Sequence, residues 1–193
     1  MIRILAVDPG FCHTGIVAME LQSGVWRPVL LETVTTEPPK EKSKLLKGDC
    51  DFARLLMTAD RMLAEAPKAR GLLAELPPGG AKSAAAQRAM ALASGLLAGL
   101  VASLRLPYEL VQPGDVKKSV TGKRSASKEE IMDWAGRQWP EETARFASKR
   151  AASGWTAEFE HVADALAVFE TCRNGNLVRM LESFEAEGKQ AGG

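Results

Sequence analysis

The chain has 193 residues, of which 46% are hydrophobic and 25% charged, with 25 Lys and Arg against 24 Asp and Glu for a formal net charge of +1. This length suits one domain with a sizeable core and is short for two, and the composition is that of a soluble globular protein. Cys12, Cys50 and Cys172 are odd in number, far apart and without a CxxC pair; neither a disulfide framework nor a zinc site is suggested, and a reducing cytoplasm fits.

Residues 2 to 8, 14 to 21 and 25 to 35 are rich in Ile, Val and Leu and are separated by the turn formers PGFCH and QSG. They predict three strands in an antiparallel meander. The first run is short and contains Asp8, so it is neither a signal peptide nor a membrane span. Residues 36 to 48 are polar, with Lys40, Lys42, Lys44 and Lys47, and read as a loop. Residues 51 to 65 place Phe52, Leu55, Leu56, Ala59, Met62 and Leu63 at helical spacing and predict an amphipathic helix.

GLLAEL at 71 to 76 predicts a short buried strand halted by Pro77 and Pro78. A long Ala-rich helix over 82 to 104 follows; its uncharged run from 89 to 104 falls short of spanning length and predicts a buried helix, with no membrane partner. PYELVQP at 107 to 113 predicts a further strand. Ser127-Lys128-Glu129-Glu130 fits a capping box and predicts a helix from Lys128 to about Trp139, ended by Pro140. The last major helix is predicted from about Ala157 to Cys172, stopped by Asn174-Gly175-Asn176. A short helix near 177 to 187 then precedes a frayed GKQAGG tail. Strands alternating with helices after the meander predict a mixed sheet with helices on its faces.

Three acids stand at informative positions: Asp8 and Glu75 at strand ends, and Asp164 within the apolar HVADALAVF. His161 precedes Asp164 by three positions and shares its helix face. Singly, Asp8 is explained as a turn cap, Glu75 as a solvated edge residue, Asp164 as a partner of a basic side chain and His161 as a satisfied helix histidine. Jointly, carboxylates that meet require a divalent cation or shared protons. Mg²⁺ and Mn²⁺ take such oxygen ligands and leave positions for water and phosphate. Phosphoryl chemistry is the natural use of the set, with His161 ligating a metal, orienting water or moving a proton.

ILAVDPGFCHTGIV, LLAEL, VKKSVTGKRSASKEEI and HVADALAV, in this order, resemble the RuvC family of Holliday-junction resolvases. The resemblance covers the chain from Ile2 to roughly Cys172. It implies an α/β fold of the RNase H-like kind, a mixed five-stranded sheet with its first three strands antiparallel, flanked by helices. The nuclease domain would occupy residues 1 to 175, and 176 to 193 would form a short helix and flexible tail. It further implies a dimeric, cytoplasmic endonuclease using Mg²⁺, with Mn²⁺ as a substitute and two ions per site. The metal and catalytic residues would be Asp8, Glu75, His161 and Asp164, and nicking of four-way junctions would leave 5′-phosphate and 3′-hydroxyl ends.

Lys117 and Lys128 match family lysines that face DNA. The sequence adds a reason of its own, because Lys117, Lys118, Lys123, Arg124 and Lys128 fall in one segment with the single acid Asp115. Lys128 at a helix N-terminus also opposes the helix dipole. The family's aromatic wedge after the second carboxylate has no counterpart in LPPGGAKSAAAQR. Lys82, Ser83 and Arg88 offer phosphate contacts there instead, which predicts looser cutting of branched DNA. Gly95 and Gly99 share one face of the long helix and admit a close neighbour, either a second copy or the chain's own sheet. An actin-like ATPase lacks here its second phosphate hairpin, a proofreading exonuclease lacks its acid at position 10, and a non-catalytic module would not need the full acidic set. A nuclease for RNA:DNA hybrids stays open on sequence grounds.

Overall fold

Alternate side chains of a strand point to opposite faces of a sheet. In β1 (Arg3–Asp8) this separates Ile4 and Ala6 from Leu5 and Val7, and the two pairs lie in two apolar cores, one on each face. The computed structural model describes residues 1–37, 47–76 and 83–190. The lysine-rich stretch with Lys40, Lys42 and Lys44, the Pro77-Pro78 stop, Lys82 and the tail from 191 lie outside the described residues.

The sheet has five strands in the order β3-β2-β1-β4-β5, with β2 at His13–Gln22, β3 at Val25–Thr35, β4 at Gly71–Glu75 and β5 at Tyr108–Val111. β1 pairs antiparallel with β2, and β2 with β3, whereas β1–β4 and β4–β5 are parallel. This is the mixed sheet with an antiparallel opening that the sequence predicts. Helices α1 (Lys47–Glu65) and α2 (Ala84–Leu104) cover the Leu5 and Val7 face. The Ile4 and Ala6 face carries α3 (Pro113–Thr121), α4 (Lys128–Gln138), α6 (Phe159–Cys172) and α7 (Asn176–Gln190), with the short α5 (Pro140–Thr143) between α4 and α6. Leu177, Val178 and Leu181 of α7 are buried in the same core as α6.

Four local expectations change. The predicted strand over 107 to 113 stops at Val111, because Pro113 occupies the first turn of α3, where its missing N–H costs nothing. Gly122, with φ of 79°, ends that helix. Pro140 likewise begins a helix of its own after α4 ends at Gln138. α2 is not buried: Ala93, Leu97 and Leu100 face the sheet while Ala91, Gly95, Ala98, Gly99 and Ala102 are exposed. By length and composition alone it is apolar enough to cross a membrane.

α1 turns against its apparent stripe. Phe52, Leu56 and Leu63 are exposed, and the buried side carries Asp51, Arg54, Thr58, Met62 and Glu65. Paired charges decide this. Arg61 bridges Glu32 and Glu65, and Arg3 bridges Glu20 and Glu65. These bonds tie α1 to β1 and β3 and, through Arg3, to Glu20 of β2, and they satisfy the polar groups involved.

Candidate active site

Asp8 and Glu75 are the last residues of β1 and β4. Val7 pairs with Ala74, so the two acids follow at the carboxyl ends of neighbouring parallel strands, a position that open α/β sheets use for ligands. Asp8 shares the parity of Ala6, and Glu75 that of Leu73, both of which lie in the α6 core. The strand alternation therefore points both carboxylates toward α6, which carries His161 and Asp164 one turn apart.

Gly15 sets how closely that helix approaches. It lies opposite Asp8 on β2, and a Cβ there would stand 1.9 Å from the carbonyl oxygen of His161 and 2.5 Å from its carbonyl carbon. No side chain fits without lifting α6 from the sheet. Gly15→Ala should cost about 1–3 kcal/mol of stability. A variant with unchanged melting temperature would contradict this seating.

The acids share one electrostatic field. Burial raises Glu75, and the negative charges of Asp8 and Asp164 add to it, bringing its pKa to about 8 against the opposing pull of Lys117. Burial likewise raises Asp164, with the charges of Asp8 and Glu160 adding, to about 7. His161 Nδ1 lies 2.9 Å from Asp8 Oδ2. Burial disfavours the imidazolium, but the bond to Asp8 and the charges of Asp8, Glu160 and Asp164 outweigh it and hold His161 above its ordinary value. An ionised carboxylate only accepts, so Nδ1–H donates; in the neutral ring Nε2 keeps its lone pair.

The hairpin Pro9–Cys12 that follows Asp8 is itself braced. Thr14 Oγ1 donates to Gly10 O at 2.7 Å. The buried Arg54 donates to Thr36 O at 2.8 Å, approaches Cys12 Sγ at 3.0 Å and lies over the Phe11 ring at 4.2 Å. His13 stacks on His161 with ring centroids 5.1 Å apart, and its Nδ1 lies 3.1 Å from Thr35 Oγ1.

Most of the basic positions are held in ion pairs. Lys117 on α3 donates to Ala126 O at 3.1 Å and stands within the field of Glu75 and Asp164. Lys128 pairs with Glu160, Lys123 with Glu130, Arg124 with Asp115, and Arg88 with Asp51. Lys118 is exposed. Ser83 caps α2, accepting from Ala86 N at 3.1 Å.

No family model matches the chain, and no curated protein matches it. Solved structures do. Thermus thermophilus RuvC in complex with a Holliday junction substrate superposes with a TM-score of 0.62 at 19% identity, covering 89% of this chain and 92% of that one. A second Thermus thermophilus RuvC structure gives 0.60 at 20%, covering 88% and 92%. The fold is that of RuvC.

On this RuvC fold, among the described residues, no three His, Cys, Asp or Glu side chains stand close enough to hold a metal ion as a group. Mg²⁺ does not need such a cage, since it takes one or two carboxylates and keeps water and substrate oxygens. Asp8, Glu75 and Asp164 fit that ion by donor type, and a cation would relieve the mutual repulsion that raises Glu75 and Asp164. Sequence reasoning missed four contributors: Gly15, His13, Arg54 and Glu160. Gly15 alone carried a signal, because a lone glycine inside a strand marks close backbone approach.

Proposed function

We propose that the chain is a Mg²⁺-dependent endonuclease that cuts branched DNA, four-way junctions above all, leaving 5′-phosphate and 3′-hydroxyl ends. The observation that carries this reading is the meeting of Asp8, Glu75 and Asp164 in one field, with His161 bonded to Asp8, at the carboxyl ends of β1 and β4. The likeness in fold to a RuvC that holds a Holliday junction supports the choice of substrate.

Asp8, Glu75 and Asp164 would hold the ions, with Mn²⁺ as a substitute. The chemistry that two such ions supply when bound is activation of water and stabilisation of the departing oxygen. His161, oriented by Asp8 and flanked by His13, presents Nε2 to a proton or an ion. Lys117, beside the acids, steers a phosphate toward them.

A two-fold substrate calls for two sites, and we assign the partner copy to the α1 and α2 side. There Phe52, Leu56, Met57 and Leu63 are exposed on α1, and no described atom comes within 4 Å of a Cβ built on Gly95 or Gly99 of α2.

The deciding experiment offers the purified protein, with Mg²⁺, a panel of duplex, flap, fork, four-way junction and RNA:DNA hybrid, and reads its mass by light scattering. Paired symmetrical nicks by a dimer are expected. Cutting confined to hybrid or to flaps would replace this function with that of another RNase H-like nuclease. Lys117→Ala should slow cleavage and lower the salt slope of junction binding by about 1; an unchanged slope would remove Lys117 from the phosphate contacts.

A further inference from the structure

Lys128 opens α4 and Glu160 lies in the first turn of α6, directly before His161, and the two form an ion pair. The Lys128 side chain is 63% exposed and that of Glu160 24%. Helix energetics do not explain the lysine. A cation at a helix N-terminus opposes the dipole, and α4 is already capped by the reciprocal Ser127 and Glu130 bonds. The pair nevertheless lies within the pocket's field: Lys128 feels Asp164 and Asp8, and Glu160 raises both Asp164 and His161. Lys128 is thus a basic side chain tied directly to the first turn of the helix that carries His161 and Asp164, and its partner is a fourth acid outside the three proposed to hold metal.

We propose that Glu160 is a specificity-determining residue: it holds the Lys128 ammonium in an ion pair that a DNA phosphate docked at Asp8 and Asp164 displaces, at the expense of binding to unbranched duplex. The inference rests on the nuclease reading. A pair this exposed is weak, so one phosphate suffices to exchange it. Once released, Glu160 repels any backbone near it. That cost is largest for a backbone that lies directly over the released carboxylate, and smaller where Lys117 and the acids hold the phosphate away from it. Linear duplex, without that anchorage, bears the cost in full.

The test measures binding of a four-way junction and of a linear duplex of equal length in EDTA, where no cleavage occurs. The proteins are the wild type, Glu160→Gln, Lys128→Met and the double variant. Glu160→Gln should tighten duplex binding by about fivefold and junction binding by less. In the Lys128→Met background the same substitution should act by less than about twofold. Equal tightening in both backgrounds would mean that Glu160 repels DNA without acting through Lys128, and would overturn the proposal. So would coupling seen in melting temperatures and absent from DNA binding, which is the signature of a staple between helices. A wild type that binds neither DNA overturns the nuclease reading itself. A wild type that binds, with no effect of Glu160→Gln, overturns this inference alone.

Discussion

Asp8→Asn, Glu75→Gln and Asp164→Asn should each lower the cleavage rate of a four-way junction by about three orders of magnitude, with junction binding retained. Each substitution keeps the shape of the side chain and exchanges a carboxylate oxygen for an amide nitrogen, so what is lost is charge and one ligating oxygen. Because the effect lies in charge that develops during reaction, it belongs in turnover and not in affinity. Glu75→Gln gives the sharpest reading. It removes a carboxylate whose burial and acidic neighbours push its pKa to about 8, so the folded protein should be no less stable at neutral pH while it stops cutting. Single-turnover assays beside melting curves separate the two effects, and full activity in any of the three would remove that residue from the mechanism.

The metal-free protein should lose stability as pH rises from about 4.5 to about 8, by on the order of a few kcal/mol. Burial, with acidic neighbours adding, raises Glu75 from 4.5 to about 8 and Asp164 from 3.8 to about 7. His161 moves the same way from 6.5, its bond to Asp8 outweighing burial. For all three the folded state binds protons more tightly than the unfolded one, so stability is greatest below the unfolded values and declines as pH passes through the folded ones. For a chain of this size the fall in melting temperature is roughly 5–10 °C. Mg²⁺ competes with those protons, so the stabilisation it confers should grow with pH over the same window. Melting curves in EDTA and in Mg²⁺ between pH 5 and pH 8.5 check both statements. Glu75→Gln should flatten the EDTA profile, and a flat wild-type profile would mean that the acids do not share a field.

That Asp8 and Glu75 end strands was legible in sequence because strand alternation and strand ends are local features. An acid that ends an apolar run and is followed within two residues by proline, as Asp8 and Glu75 are, stands at a strand end whatever the rest of the fold does. What sequence hid depends on partners distant along the chain. The apolar stripe of α1 predicted a face, but the choice of side fell to Arg61 and Glu65, whose partners Glu32 and Arg3 come from other elements. α3 was hidden because Pro113 reads as the end of a strand and acts as the start of a helix. The basic segment was visible as composition; that Lys123, Arg124 and Lys128 each face a carboxylate was not, since Glu130, Asp115 and Glu160 meet them through the folded chain.

The contact at Gly15 involves the carbonyl oxygen, the carbonyl carbon and the Cβ of His161, atoms that every residue except glycine possesses. The seat of α6 is therefore indifferent to what projects from position 161. An acid could replace the imidazole with the helix undisturbed, whereas the glycine beneath has no such latitude. Docking and chemistry are thereby assigned to different residues of one contact, and the second is free to vary while the first stays fixed.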